Sequence, residues 1–548
     1  MKTLTPETRK IDTSIDKFTF FGVILILLAI TLPLIFFPSR AAEWVGATKR
    51  LVTTNVGVFY YGVAVLCVIF VTYIGFSDIG KIKAGEVDEE PEYKTLSWAA
   101  MLFSAGIGSG ILYWGTIEWA YYYQSPPFGL ASGTKEAVEW AATYGIFHWG
   151  PLAWMIYLVP ALIMTYYYHV RKQPKLKISQ CLTPILGEKV VNGRWGKTLD
   201  IFFVIGMIGG GATSLGLASP MITEGLHRLF GLPQTVWMQL LVLLLTTFIF
   251  AFSAYRGMKK GIQLLANVNF YLAAVLLAFV FVCGPSLFML EVGLESMGRS
   301  LTSAFRMMTW IEAFREYDHV GFKNSGFPQD WTIFYWAWWV VFAPTIGIFI
   351  AKISKGRTLR QIIVGTVFFG SLGCAFFFII LGNYGLFLQL TNALDVVGIV
   401  NTEGATVAIF SVLSTLPMGK VVMATFTVLV VIFSATTYDS VSYILAAVTQ
   451  KEVDDEPVRW NRLFWALVLC FVPAVLLFFG DLSILQTASI FAGAPLIIIL
   501  VGLMLSLLKI ANQDMRKQKA YRDKCIYIVH EDETPSATRA PEAVASKE

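Results

Sequence analysis

The sequence has little charge for its length. Asp, Glu, Lys and Arg together make up only 14% of the 548 residues, whereas about 25% is usual in a soluble globular chain. Hydrophobic residues make up 56%. This composition excludes an ordinary soluble protein and indicates a chain that lies mostly within a membrane.

Cysteine and histidine are also scarce, with six and five residues. The cysteines show no CxxC or other metal spacing, which argues against a zinc site or a disulfide framework. The histidines form no HExxH pair, and His148 stands alone in FHWGPLAW. The sequence also has no convergent acid, base or metal set typical of an enzyme, and no filter repeat typical of an ion channel. We therefore expect neither catalytic residues nor an organic cofactor.

Long apolar runs recur along almost the whole chain. Each has about 20 residues, the length at which a helix crosses a bilayer. The sequence therefore predicts an all-α polytopic membrane protein with about twelve transmembrane helices. The runs lie near residues 18–38, 56–77, 97–124, 143–169, 199–221, 235–255, 263–290, 331–353, 361–390, 420–448, 461–480 and 484–509.

Basic residues concentrate in alternate loops. If both termini are cytoplasmic, the inner loops hold roughly twice as many Lys and Arg residues as the outer loops, as the positive-inside bias requires. This pattern predicts a multi-pass protein of the cytoplasmic (inner) membrane, surrounded by lipid. It also explains the net charge of +5 as a topology signal, so we expect no nucleic-acid partner.

The apolar runs divide the chain into six parts. The linker between the two larger parts has apolar residues at helical spacing, Leu301, Ala304, Phe305, Met308 and Ile311, and predicts an amphipathic helix on the outer surface. The basic stretch QDMRKQKAYRDK of the tail predicts a surface helix. The parts are a cytoplasmic segment 1–17, two flanking helices and an inner loop 18–95, a first repeat 96–290, the linker 291–330, a second repeat 331–509 and a cytoplasmic tail 510–548.

Two of the apolar runs contain residues that interrupt a helix. The third contains Gly106, Gly108 and Gly110 in GIGSGILYWG, and the eighth contains Pro344 and Gly347. Interrupted helices at corresponding positions of two halves indicate an inverted-repeat transporter with its site at mid-membrane. At such a break, free amides suit a carboxylate and free carbonyls suit a small cation.

Tryptophans cluster in two of the runs. Trp149, Trp154 and Tyr157 would fall within an arc of about 140° on one helix, and YWAWW contains further tryptophans before Pro344. Several ring faces around one space suit a quaternary ammonium, which cannot donate hydrogen bonds, at about 0.5–2 kcal/mol per ring. The sequence therefore indicates a substrate cation that donates no hydrogen bonds, such as a quaternary ammonium.

Polar residues inside the runs are few. Thr436 and Thr437 in the tenth run offer two hydroxyls that would complete the shell of a hard cation, although membrane threonines more often bond to their own helix. Glu118 and Asp439 are costly in lipid and are therefore functional candidates. Structural hydrogen bonding is at least as good an explanation of both, and the two interpretations stay open.

The motif DWTIFYWAWW at residues 330–339 resembles the signature of the betaine/choline/carnitine transporter family. The similarity continues through FHWGPLAW, SPPFGL, ISKGRT, GATSLGLASP and the glycine stretch, from about Phe18 to Lys509. The resemblance implies a LeuT-type fold, in which two extra helices precede two inverted five-helix repeats. It also implies a homotrimer and trimethylammonium-type solutes.

The resemblance assigns roles to individual residues. Substrate-binding positions are Trp149, Trp154, Tyr157, Trp336, Trp338, Trp339 and Phe342, together with Gly106, Gly108 and Gly110. Sodium-binding positions are Thr436 and Thr437, with backbone oxygens from Phe433, Ser104 and Ile107.

We therefore expect import of a zwitterionic betaine-like solute, such as glycine betaine or carnitine, by sodium symport with alternating access, as in osmoprotection. Choline-selective relatives tend to carry an aspartate at the position of Gly110, so the glycine favours a zwitterion. Sodium-independent carnitine/γ-butyrobetaine exchangers carry an arginine where this chain has Asn269, and exchange is the alternative. A membrane osmosensor without transport is the alternative from another class.

Overall fold

The computed structural model describes residues 12–86, 88–105, 108–173, 177–256, 259–315, 317, 324–453, 456–477, 482–522 and 525–528. The described chain is almost entirely helical, which confirms the all-α prediction. The first half contains α1 (Lys17–Phe36), α2 (Pro38–Asn55), α3 (Gly57–Phe76), α4 (Thr95–Ala105), α5 (Ser109–Gln124), α6 (Lys135–His148), α7 (Pro151–Thr165), the short α8 (Ile178–Cys181), α9 (Thr183–Leu186) and α10 (Glu188–Val191), then α11 (Arg194–Phe230), α12 (Val236–Arg256) and α13 (Lys259–Cys283).

The rest of the chain begins at the linker. It contains α14 (Ser286–Thr302), α15 (Ala304–Thr309), α16 (Ile333–Ile353), α17 (Leu359–Phe377), α18 (Asn383–Leu390), α19 (Val396–Thr402), α20 (Ala405–Ser414), α21 (Gly419–Val448), α22 (Arg459–Leu477) and α23 (Leu482–Gln518), and ends in strands β1 (Lys519–Arg522) and β2 (Cys525–Ile528). Short 3-10 turns lie at Asp78–Lys81 and Pro127–Gly129, and π-helical turns at Tyr166–Val170, Pro328–Thr332 and Phe378–Gly382.

Helices stand at all twelve predicted spans. Eight helical segments of the described residues are long and apolar enough to cross a membrane, and α13 with α14 makes a ninth if that bent pair counts as one. The other three predicted spans correspond to the broken pair α4 and α5, to α12 and to α22. The chain is therefore a multi-pass membrane protein.

The third span is broken where the glycines predict it. Helix α4 ends at Ala105 and α5 begins at Ser109, with Gly108 in an extended conformation between them (φ −96°, ψ −173°). Gly106 and Ile107 lie outside the described residues.

The eighth span is not broken, and this prediction was wrong. Helix α16 continues through Pro344 to Ile353. Gly347 instead allows α16 to approach α7, because a Cβ at this position would lie 2.8 Å from the backbone nitrogen of Ala161. Small residues commonly serve such close packing between membrane helices.

The predicted amphipathic linker helix is present but begins earlier. It forms α14 and α15, and α14 turns by 111° from α13. Leu301 and Phe305 are 72% and 78% exposed, and Ile311 lies beyond the end of α15. The Arg299 guanidinium pairs with Glu139 of α6 at 2.5 Å, which ties the linker to the bundle.

The tail differs from its prediction. Helix α23 ends at Gln518, and the rest of the basic stretch begins an antiparallel hairpin of β1 and β2. The hairpin has partners elsewhere in the chain: the Lys83 N–H donates to the Ile526 carbonyl at 3.0 Å. In the last turns of α23, both oxygens of Asp514 accept from the Arg171 guanidinium at 2.8 Å. These bonds replace the contacts that a free surface helix would make with water.

Candidate functional site

The chain leaves the helical conformation at Trp149. Helix α6 ends at His148, Gly150 is extended (φ −89°, ψ −155°), and α7 begins at Pro151. The sequence interpretation placed Trp149 and Tyr157 on one continuous helix, and this was wrong. Both rings nevertheless contact Trp339, with ring centroids 4.9 Å and 5.1 Å away.

Five rings from α16 and the α6–α7 region form what we call the aromatic cluster: Trp149, Tyr157, Trp338, Trp339 and Phe342. Trp149 meets Trp338 and Trp339 almost perpendicularly, at 87° and 89°, with centroids 5.6 Å and 4.9 Å away. Phe342 lies 6.2 Å from Trp338. All five side chains are buried. Edge-to-face contacts of this kind are favourable and hold the rings in fixed orientations.

Two of the predicted tryptophans lie beside this cluster. Trp154 contacts Tyr157, with ring centroids 5.7 Å apart, but its indole packs on Gly370 of α17. The ring of Trp336 packs on Phe147 and His148. Neither indole N–H has a hydrogen-bond partner in the described part of the chain. The structure therefore brings together five of the seven predicted aromatic residues.

The start of α5 lies against the aromatic cluster. A Cβ at Gly110 would lie 2.7 Å from Cη2 of Trp338 and 3.8 Å from Cη2 of Trp149. A Cβ at Gly108 would lie 3.4 Å from Oγ1 of Thr437 on α21. One short glycine-rich stretch thus contacts both the rings and the hydroxyl-bearing helix.

The two threonines of α21 differ in their hydrogen bonds. The Thr436 hydroxyl donates to the Ile432 carbonyl at 3.0 Å and lies 3.2 Å from the Phe433 carbonyl. The Thr437 hydroxyl faces Gly108 and has no hydrogen-bond partner among the described residues. Ser104 lies in the last turn of α4. Thr437 is thus the α21 residue whose hydroxyl lies beside the break.

A buried carboxylate lies behind the aromatic cluster. Glu118 on α5 accepts hydrogen bonds from the Tyr122 and Tyr335 hydroxyls, both at 2.5 Å, and from Nε1 of Trp149 at 3.2 Å. The sequence identified Glu118 but missed both tyrosines. The i,i+4 spacing of Glu118 and Tyr122 on α5 was the available signal for one of them.

The second intramembrane acid has a different environment. Asp439 accepts a hydrogen bond from the Arg462 guanidinium of α22 at 3.1 Å, and both side chains are buried. This pairing supports the structural interpretation of Asp439. Asn269 is buried on α13, and its Oδ1 has no partner among the described residues.

The chain is similar to a known family of transport proteins. The model of the BCCT family, described as betaine/carnitine/choline family transporters, matches residues 18–516. A carnitine transporter of Acinetobacter baumannii is 36% identical over 481 residues, which cover 87% of this chain and 84% of the relative. The uncharacterized transporter YeaV of Escherichia coli K12 is 34% identical over 434 residues, which cover 79% of this chain and 88% of YeaV.

Among solved structures, a substrate-bound, outward-open Na+-coupled sialic acid symporter matches with a TM-score of 0.42 and 11% identity, over 79% of this chain and 81% of the other. The match to the family model covers nearly the whole chain, including the broken third span and the aromatic cluster. This chain therefore belongs to the betaine/carnitine/choline family of secondary transporters.

Proposed function

We propose that this transporter imports a zwitterionic quaternary-ammonium solute together with sodium. The observation that carries the proposal is the position of the Gly108–Gly110 stretch, which contacts Trp338 on one side and Thr437 on the other. A substrate among the rings and an ion at the hydroxyls would therefore share one backbone segment. Such sharing is a direct physical route for coupling their movements.

The substrate class follows from the chemistry of the aromatic cluster. Its rings offer electron-rich faces, which attract a cation at about 0.5–2 kcal/mol per ring when water is excluded. The substrate's carboxylate would bind the free backbone amides at the start of α5, where the helix dipole also favours an anion. Glycine betaine, carnitine, γ-butyrobetaine and dimethylsulfoniopropionate all fit this description, and one relative is named a carnitine transporter.

The coupling ion follows from the oxygens beside the break. The Thr437 hydroxyl is unpaired among described residues, and the Thr436 hydroxyl, whose proton is directed at Ile432, keeps lone pairs for a cation. Backbone oxygens of Phe433, Ser104 and Ile107 would complete the shell. Asn269 is neutral, so it cannot supply the positive charge that would replace sodium in an exchanger. We further propose a homotrimer in the cytoplasmic membrane with both termini inside.

Uptake into proteoliposomes tests this function. Each of the four solutes is supplied with and without an inward sodium gradient, and we expect accumulation of at least one of them only with the gradient. Thr436→Ala/Thr437→Ala should abolish the sodium dependence. Ser434→Ala is the matched control, because this buried hydroxyl on the same helix donates to the Val430 carbonyl at 2.7 Å.

The other outcomes are equally informative. Wild-type uptake that ignores sodium but needs a solute inside the vesicle would refute symport and establish exchange. No accumulation of any of the four solutes, with intact binding, would favour a sensor.

A further inference from the structure

We propose that Glu118 is a positioning residue for the substrate site. Its carboxylate holds Trp149 in place and supplies negative charge behind the cation-binding rings. The proposal rests on the proposed transport of a quaternary-ammonium solute. It assigns a role to an intramembrane acid that the sequence left open between function and structure.

The hydrogen bonds around Glu118 all point toward its carboxylate. Tyr335 and Trp149 each have a single polar proton and direct it at Oε2. The Tyr122 hydroxyl donates to Oε1, so its oxygen is free to accept from Nδ1 of His148 at 2.9 Å. Both oxygens of the Glu118 side chain therefore act as acceptors, from three donors in all.

The hydrogen bonds from Thr332 to His148 and from His148 to Tyr122 also run toward Glu118. With its proton on Nδ1, His148 is a neutral tautomer whose Nε2 accepts from the Thr332 hydroxyl at 3.1 Å. Thr332, His148 and Tyr122 therefore each donate their polar proton to the next group on the path to Glu118.

Within the described chain, no lysine or arginine pairs with Glu118, and the basic group that approaches it is His148, with Nδ1 3.7 Å from Oε1. Asp439 shows the contrast, because Arg462 neutralises it directly. An ionised group in the membrane interior is expensive unless it is compensated. A substrate cation among the rings would supply the missing positive charge.

Trp149 connects the carboxylate to the substrate site. The N–H edge of its indole binds Glu118, and the opposite edge, at Cη2, lies against Gly110. The hydrogen bond fixes the ring across the site, with Trp338 and Trp339 perpendicular to it. Donating to an anion also makes the indole more electron-rich, which strengthens its attraction for a cation.

Glu118→Gln tests the proposal because glutamine keeps the size and an accepting oxygen but removes the charge. Binding of glycine betaine is compared with binding of 3,3-dimethylbutanoate, which replaces the quaternary nitrogen by carbon and is otherwise the same shape. We expect Glu118→Gln to weaken glycine betaine about tenfold and the carbon analogue less than twofold. Tyr335→Phe, which removes a donor and keeps the charge, should leave the ratio of the two affinities unchanged.

A double-mutant cycle checks the role of Trp149. In a Trp149→Phe background, which lacks the indole N–H, Glu118→Gln should have a smaller effect on glycine betaine. Equal weakening of both ligands, or no weakening of either, would overturn the proposal, as would a full effect in the Trp149→Phe background. If wild-type protein binds no quaternary-ammonium solute at all, the proposed function fails instead, so the two failures are distinguishable.

Discussion

Gly110→Ala is the substitution whose effect the structure defines most sharply. The added Cβ would lie 2.7 Å from Cη2 of Trp338, whereas unbonded carbons prefer about 3.5–4.0 Å. The indole must therefore move by about 1 Å. It has little room, because Phe334 stacks on it at 5.6 Å and 15°, and Trp149 meets it at 5.6 Å.

The size of the effect follows from this crowding. Overpacking a fixed core costs about 1–3 kcal/mol, and each 1.4 kcal/mol corresponds to about a tenfold change in affinity. Because the displaced ring belongs to the aromatic cluster, we expect the cost to reduce substrate affinity. The KM for uptake should rise about tenfold or more. Alanine is a better helix former than glycine, so the substitution should not lower the helix propensity of α5.

The assay is initial-rate uptake of radiolabelled solute into proteoliposomes. Gly62→Ala is the matched control, because a Cβ at Gly62 on α3 has no neighbouring atom within 4 Å. The control should keep the wild-type KM. A Gly110→Ala variant with wild-type KM would refute the placement of substrate against Trp338.

Further substitutions test the effect of a charge at position 110 and the role of the buried ion pair of Asp439. Gly110→Asp carries the same Cβ as Gly110→Ala plus a carboxylate, so competition assays should show a gain for choline over glycine betaine relative to Gly110→Ala; an identical preference in both variants would count against a substrate cation at this position. Asp439→Ala should lower the melting temperature of the purified protein, because the buried Arg462 guanidinium loses its 3.1 Å partner and keeps only the Glu456 carboxylate at 3.8 Å; breaking a buried pair costs up to about 3–5 kcal/mol. Asp439→Leu/Arg462→Met should recover part of that loss, and an unchanged melting temperature in Asp439→Ala would contradict a structural role for the pair.

Much of the architecture was predictable because its causes are local. A bilayer requires about 20 apolar residues per helix, so the positions of the spans can be found one segment at a time. The break at Gly108 was predictable for the same reason, since glycine acts on its own backbone. Pro344 shows the limit of such reasoning: proline only weakens a helix, and in α16 the helix continues through it.

The residue types of the site were also visible in the sequence, but their arrangement was not. Trp149 lies at a chain break, so its direction does not follow the helical periodicity of Tyr157. Trp336 and Trp338 are two residues apart on α16 and therefore point to different sides of the helix. Which of the two tryptophans joins the aromatic cluster depends on where α7 packs against α16.

Composition and motifs alone indicated a helical transporter with a glycine break, a set of aromatic rings and two threonines on the tenth span. The packing of the helices established that Gly110 lies against Trp338, that Gly108 lies against Thr437 and that Glu118 binds Trp149. The difference comes from distance along the chain. These contacts join helices far apart in sequence, and their geometry is set by the packing of the whole bundle, to which no short segment has access.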